Sequence, residues 1–464
     1  MTATRFAETF PDLTGRRVIV VGAGKSGRAA AQLALERGAD VTLADRGSDS
    51  ELRKMAAGVQ KRGALLHPGG HPPELLDDAD LVVLSPGVPL EIELVTAARA
   101  REIPVWGEVE LASRFTEGRI AGISGSNGKS TVTAMVGAIL RGAGIAGGTG
   151  GNLDTPLSDL LATDETGAVH ALELSSFQLE TIETFRPSIA VILNLSPDHL
   201  NRHGTLDKYA AAKARIFENQ TDDDAAVLNA DDAGSRRFDS AVRSNLHRIS
   251  TRVEIGRGAF VRDGRMVLRT SHGEEELLPI EALPLAGEHN LSNALAAALT
   301  ARLAGAPVDA IDEAVSSFQP LAHRLEYVGE IRGVGFYNDS KATNPAATLP
   351  ALKAFGNGAI HLILGGKDKG GDWDELVQAV RSRVRRVLVV GADPAPMMRR
   401  FEGVVETVRC GTIEQAVATG LAGAGSGDVV LLSPACASFD QFGSFEQRGE
   451  VFRRAVQACG GRHA

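Results

Sequence analysis

Short runs of apolar, often β-branched residues recur along the chain, and each stops at a glycine or a polar cluster. They include "RRVIVVGAG", "LVVLSPG", "IAGISGSNG", "HALELSS", "IAVILNLSPDH", "IHLILGGKD", "RRVLVVGAD" and "DVVLLSPACAS". Ala-rich stretches at 28–37, 130–141, 291–304 and 374–383 lie between them and predict helices. Strands alternating with helices predict parallel sheets covered on both faces. The expected class is α/β in three blocks, 1–106, 107–320 and 321–464. One stretch departs from the alternation: "GAFVRDGRMVLRT" (258–270) predicts a hairpin around an Asp-Gly turn. No internal repeat or low-complexity tract is evident.

The length of 464 residues suits two to four domains. With 43% hydrophobic and 23% charged residues the composition is that of a soluble globular protein. The 52 glycines and few aromatics suit many tight strand-to-helix turns. A net charge of −9 argues against nonspecific nucleic-acid binding, which needs basic surface. No apolar run is long enough to span a membrane. The N-terminus "MTATRFAETFPDLTGRR" lacks the basic-then-apolar order of a secretion signal. Cys410, Cys436 and Cys459 are too few and too scattered for a disulfide framework, so a cytoplasmic location is expected.

Parallel sheets gather ligands beyond the carboxyl ends of their strands. In the first block "VVGAGKSGRAAAQLALERGADVTLADRG" carries Gly22-x-Gly24-x-x-Gly27 and an acid, Asp45, ending the second strand. This is the fingerprint of a Rossmann-like dinucleotide-binding unit. Read alone it fits an NAD-dependent oxidoreductase as well as a protein that binds some other diphosphate. Lys25 and Ser26 sit in the turn, Asp45 and Arg46 at the next strand end. Ser85 in "LSPGVP" is either part of the same site or simply a Pro-Gly turn.

The second block opens on "GISGSNGKST" (122–131), a phosphate loop between a strand and a helix. Gly125, Ser126, Asn127 and Gly128 turn backbone amides toward phosphate oxygens. Lys129 adds charge, and Ser130 or Thr131 offers a hydroxyl to Mg2+. The loop is shorter than the general pattern, with Ile123 where a first glycine is expected. Glu173 lies where an Mg2+-binding strand-end carboxylate belongs, or is simply a solvated strand-end glutamate. "NLSPDHLNRHG" packs Asp198, His199 and His203 after another strand and points to metal or phosphate contact. Lys213 lies on a helix read from Tyr209 to Glu218, where spacing alone makes it a solvated cation without function.

Taken in order, the phosphate loop, "ELSSFQLE", "SPDHLNRHGT", "YAAAKARIFEN", "GEHNLSNALAA", "HRLE", "NDSKATNP", "LILGGKDKGGD" and "LLSPACASFDQFGSFEQRG" closely resemble the Mur ligase family. The last three match its D-glutamate-adding members, and the resemblance spans nearly the whole chain. It implies a Rossmann-like first domain, a central P-loop ATPase-type domain and a Rossmann-like C-terminal domain. It also implies ATP-dependent joining of D-glutamate to UDP-N-acetylmuramoyl-L-alanine through an acyl phosphate, a step of peptidoglycan precursor synthesis, by a monomer with no nucleic-acid or membrane partner.

Site roles follow from the resemblance residue by residue. Residues 125–131 would hold the ATP phosphates. Ser130 and Glu173 would ligate one Mg2+; His199 and a carbamylated Lys213 would serve a second. Asn290, Asn293, Arg324 and Asp339 would meet ATP. D-glutamate would be held by Thr343, Lys369, Ser438 and Phe445, with Lys367 a rival for Lys369. Asn152 and Gln178 would touch the UDP-sugar, and the first block would bind its uridine diphosphate rather than NAD. Asp154 stands where the family favours Gly, and Asn201 where it often has Asp. A Mur-type ligase for another amino acid, an NAD-dependent oxidoreductase and a nonenzymatic nucleotide-binding protein are the competing readings.

Overall fold

The computed structural model describes residues 12–47, 50–153, 155–271, 273–284, 287–319, 321–370 and 372–460. The first sheet holds β1 (Arg17–Val21), β2 (Asp40–Asp45), β3 (Leu65–Pro68), β4 (Leu81–Leu84) and β5 (Val105–Gly107). They run in the order β3-β2-β1-β4-β5, with every neighbouring pair parallel. Strands β1 and β4 read as unbroken apolar runs because both faces of a parallel sheet are covered, and Val18–Val21 and Leu81–Leu84 are all buried. The strand order reverses beside β1, and the glycine turn opens there. Gly22 has φ +94°, and a Cβ on Gly27 would lie 1.8 Å from the Gly22 carbonyl oxygen, so the fingerprint glycines are sterically required.

The second sheet holds β6 (Arg119–Ser124), β7 (Thr149–Gly151), β8 (Val169–Glu173), β9 (Ile189–Ile192), β10 (Ala225–Asn229), β11 (Asn245–Ser250), β12 (Gly258–Arg262), β13 (Arg265–Thr270) and β14 (Gly273–Pro279). Their order is β14-β13-β12-β11-β10-β9-β6-β8-β7. Strands β12 and β13 form the expected hairpin. Its turn residues Asp263 and Gly264 both have positive φ, 49° and 73°, as a tight two-residue hairpin requires.

The third sheet holds β15 (Glu326–Ile331), β16 (Val334–Asn338), β17 (Ile360–Gly365), β18 (Val384–Val390), β19 (Glu406–Gly411) and β20 (Val429–Leu432), in the order β15-β16-β20-β17-β18-β19. Only the β15–β16 edge is antiparallel. Alternation along β17 divides its side chains between two cores. Leu362 and Leu364 join Trp373 and Leu376, whereas Ile363 joins Phe336 and Phe452.

By packing, the chain forms two compact units. The first two sheets share one, ending at Asn194 and resuming for Ala210–Ala282 and Ser292–Ser316. The second unit holds the third sheet together with Leu195–Tyr209 and Leu283–Leu291. The segment "SPDHLNRHG", read from sequence as part of the central block, therefore packs with the third sheet.

Within the first unit, Glu108 opens the helix that leaves β5, and its Oε1 accepts from both the amide and the hydroxyl of Ser158 at 2.7 Å. Burial raises the Glu108 carboxyl to about 7, against the pull of those two bonds, and its Oε2 has no hydrogen-bond partner. The unfolded chain releases this proton from its ordinary value of 4.5, whereas the folded chain keeps it to about 7. Glu108 thus lowers stability as pH rises through that window, and the loss persists above it. Glu108→Gln is expected to stabilise the protein at pH 8 by up to about 3 kcal/mol. The gain should shrink toward zero near pH 4.5 in urea unfolding, and an equal gain at both pH values would contradict this origin.

Candidate active site

The phosphate loop joins β6 to a helix at Lys129–Gly142. Gly125 and Gly128 have φ of +141° and +88°, and a Cβ on Gly128 would stand 2.5 Å from Asn293 Oδ1. Asn194 grips the loop: its Oδ1 accepts from the Asn127 amide at 2.8 Å, its amide nitrogen donates to the Asn127 carbonyl at 3.0 Å, and its own carbonyl accepts from the Ser126 amide at 3.1 Å. The expectation that all backbone amides from 125 to 131 face phosphate is thereby narrowed, since those of Ser126 and Asn127 are bonded to Asn194. The first-turn amides of the following helix, at its positive dipole end, are the candidates for anion binding. The Lys129 ammonium folds over the loop onto the carbonyls of Gly125 and Ser126, at 3.0 and 2.9 Å.

Three further side chains converge here. Ser130 Oγ donates to Glu173 Oε2 at 2.5 Å, and Asn152 Nδ2 donates to Glu173 Oε1 at 2.7 Å. Glu173 is buried at the end of β8. Lys213 corrects the reading of its helix as a solvated face. It is 1% exposed, and its Nζ donates to the Gly125 carbonyl at 2.9 Å and to Ser124 Oγ at 3.3 Å. The helix spans Leu206–Ala214 and continues as a 3-10 turn, Arg215–Phe217. The pattern failed because this helix has an Ala-rich sequence with no clear apolar stripe to show which face is covered.

The donor set suits a magnesium ion. Ser130 and Glu173 are hard oxygen ligands beside a phosphate cradle, and Mg2+ is commonly held by one or two such groups together with phosphate and water. Among the described residues no group of three or more His, Cys, Asp or Glu side chains clusters as an all-protein metal cage.

The second unit assembles a different set. Asp198 is buried, and its carboxylate meets the Lys369 ammonium at 3.1 Å and the Asn344 amide at 2.8 Å. Burial alone would raise Asp198; the Lys369 ammonium, the neighbouring His199 ring and the Asn344 bond outweigh it and hold the carboxyl below its ordinary value. Lys369 Nζ also donates to Thr343 Oγ1 at 3.3 Å. Lys367 is exposed and is tied to Ala437 through its backbone, so Lys369 is the lysine of the cluster. His199, adjoining Asp198, has φ +54°, a strained setting for a non-glycine residue. The sequence pointed Asp198, with His199 and His203, toward metal or phosphate contact; here Asp198 is the buried partner of Lys369.

Nearby, burial pushes the Asp339 carboxyl up to about 7, opposed by a bond from Ser433 Oγ at 2.7 Å and by the charge of Arg324. Arg324 lies between two residues of positive φ, His323 and Leu325. The His289 side chain is exposed. Asn290, next to it, and Asn293 lie three positions apart on the helix Glu288–Ala304 and so share a face. Ser438 is buried, and the ring of Phe445 receives the edge of His323 and the Lys341 ammonium.

At the fingerprint, Lys25 and Arg46 are exposed and Ser26 is partly so. Asp45 accepts from the amides of Ala23 and Gly47, at 2.7 and 2.8 Å, and so braces the turn. Ser85 Oγ donates to the Gly22 carbonyl at 2.8 Å and braces it from the other side. Gln178 is buried, and its Oε1 completes a capping box with Ser175. Asp154 lies outside the described residues, as does the side chain of Asn201.

A phosphate loop closed on a strand-end carboxylate, in one unit with a Rossmann-like glycine turn, is the arrangement of a nucleotide-dependent enzyme of the P-loop class. The family models agree in detail. The Mur ligase middle domain matches 123–301, the Mur ligase glutamate ligase domain matches 323–436, and the Mur ligase MurD-like N-terminal domain matches 16–107. The chain belongs to the Mur ligase family. It is 46% identical to the UDP-N-acetylmuramoylalanine--D-glutamate ligase of Acidobacterium capsulatum, over 98% of both chains. It is also 46% identical to the ligase of the same name from Koribacter versatilis, over 96% of this chain and 98% of that one. Among solved structures, the fold matches UDP-N-acetylmuramate-alanine ligase MurC of Thermotoga maritima with a TM-score of 0.60 at 19% identity, covering 96% and 99% of the two chains. MurF of Acinetobacter baumannii matches with a TM-score of 0.60 at 17% identity, over 94% and 93%. No helix of the described residues is long and apolar enough to cross a membrane.

Removing one partner of a buried ion pair leaves the other charge without compensation. Lys369→Met is accordingly expected to destabilise the protein by about 3 kcal/mol, and pairing it with Asp198→Asn should recover part of the loss. Denaturant unfolding of the two variants checks this; a Lys369→Met protein as stable as the parent would show the pair to be energetically idle.

Proposed function

We infer that the protein joins D-glutamate to UDP-N-acetylmuramoyl-L-alanine at the expense of ATP. The observation that carries this reading is the presence in one chain of a phosphate loop closed on Glu173 and a Lys369–Asp198–Thr343 cluster at the strand ends of the third sheet. A carboxylate does not react directly with an amine, because its oxygen is a very poor leaving group. Phosphorylation of the alanyl carboxylate by ATP makes an acyl phosphate; the amine of D-glutamate attacks its carbonyl carbon, and phosphate departs with the carboxylate oxygen. The protein's tasks are alignment and charge neutralisation.

In this reading Lys129 and the first-turn amides hold the ATP phosphates. Asn293, packed against Gly128, together with Asn290, Arg324 and Asp339 holds the rest of the nucleotide. Ser130 and Glu173 hold Mg2+, which when bound neutralises charge on the phosphate oxygens. His199 and Lys213 serve a second ion, with Lys213 as a carbamate. Burial of Lys213 supports that role, since carbamylation exchanges a buried cation for an anion suited to a neighbouring metal. Lys369, Thr343, Ser438 and Phe445 receive D-glutamate. Lys25, Ser26 and Arg46 face the uridine diphosphate, with Asp45 and Ser85 shaping the turn. Asn152 and the amide nitrogen of Gln178 meet the sugar and its alanyl group.

Phosphate release is expected only when ATP, UDP-N-acetylmuramoyl-L-alanine and D-glutamate are all present. A panel of amino acids with the UDP-sugar fixed tests this, and turnover with L-lysine or meso-diaminopimelate but not D-glutamate would overturn it. Lys213→Ala is expected to lose activity by at least about a hundredfold, the scale of one transition-state charge interaction, and to regain part of it with acetate. Full activity in that variant would exclude the carbamate.

A further inference from the structure

Arg448 is 1% exposed, yet no carboxylate hydrogen-bonds to it. It lies on the helix Phe445–Ala458. Its Nε donates to Ser340 Oγ at 3.0 Å, its Nη2 to the Ser340 carbonyl at 2.8 Å, and its Nη1 to the Cys436 carbonyl at 3.0 Å. Burial lowers its pKa to about 10, so it remains a cation at neutral pH. An isolated buried charge is strongly unfavourable unless dipoles or nearby charge compensate it. Here three neutral acceptors do so, with Asp339 and Asp440 near enough to favour the charge without touching it. Replacing such a group by an apolar one is often harmless to stability, so its presence calls for another reason.

The acceptors belong to two separate loops. Ser340 lies three residues before Thr343, on the loop leaving β16, and Cys436 lies two before Ser438, on the loop leaving β20. The helix is itself held against the first of these. Ser340 Oγ donates to the Phe445 carbonyl at 2.8 Å, Asn338 Nδ2 donates to the Gly449 carbonyl at 3.3 Å, and a Cβ on Gly449 would stand 2.2 Å from His323 Nδ1. The pair Arg448-Gly449 therefore needs both its side chain and its lack of one. Lysine could not substitute, because a single ammonium lacks the planar fork that addresses two carbonyls and a hydroxyl together.

We propose that Arg448 is a positioning residue for the amino-acid pocket, its guanidinium clamping the Thr343 loop to the Ser438 loop at the spacing that D-glutamate requires. The proposal rests on the assignment of those loops to D-glutamate. It gives a buried, unpaired cation a specificity role: the clamp fixes the distance between hydroxyl donors for a dicarboxylate and leaves its positive charge beneath them.

The test compares Arg448→Lys and Ser340→Ala with the parent, measuring KM for D-glutamate, ATP and UDP-N-acetylmuramoyl-L-alanine, kcat, and thermal midpoint. D-glutamate-dependent turnover by the parent establishes the underlying reading independently of any variant. Arg448→Lys is expected to raise the KM for D-glutamate at least tenfold while the other two KM values stay within twofold. Ser340→Ala, which keeps the charge and removes the hydroxyl that links Arg448 Nε to the Phe445 carbonyl, should raise it about threefold. An unchanged KM for D-glutamate, or a rise shared equally by all three substrates, overturns the proposal. If Arg448→Lys does not fold, Ser340→Ala decides by the same comparison.

Discussion

The amide of Asn194 is the contact on which the phosphate-loop arrangement of the first unit depends. It pairs with the backbone of Asn127 in both directions, while the neighbouring Asn194 carbonyl takes the Ser126 amide. A loop with two glycines at positive φ would otherwise be free to take many shapes. Fixed from below by Asn194, it aims the start of the following helix at a single point. The Ser130–Glu173 bond and the Lys213 bond to Gly125 then fall beside that point. Phosphoryl transfer asks for little else from a protein than such fixed charge and fixed dipoles.

The molecule handles buried charge in three ways. Asp198 is balanced by a direct ion pair with Lys369 and stays ionised. Glu108 has only neutral donors, and burial drives it toward the protonated form. Arg448 also has only neutral partners, but a guanidinium holds its proton too tightly for burial to remove it near neutrality. The same environment thus neutralises a carboxyl and leaves a guanidinium charged. That difference makes a buried arginine a dependable permanent cation.

The division into two packed units sharpens how the strand ends are used. The first unit combines the fingerprint turn and the phosphate loop, two turns built on the same principle of glycines and a helix start. The second unit carries the Lys369 cluster and also takes in Leu195–Tyr209, whose Asp198 anchors it by a buried charge. A segment that is contiguous in sequence with one sheet is thereby committed to another, for an electrostatic reason.

Much was determined by sequence alone. Eight apolar runs became parallel strands because residues buried on both faces leave an unbroken apolar signature, and the Asp263-Gly264 hairpin followed from backbone sterics. The phosphate loop was legible because glycine, lysine and hydroxyl needs are local in the chain. Tertiary structure decided what depends on distant partners. It buried Lys213 on an Ala-rich helix whose sequence marks no face, and it separated Lys369 from Lys367 through an aspartate 171 positions away. It turned Asp45 and Ser85 inward as braces of the glycine turn and left Lys25 and Arg46 exposed. Local chemistry names the groups a site requires; long-range burial and charge pairing decide which side chains face it.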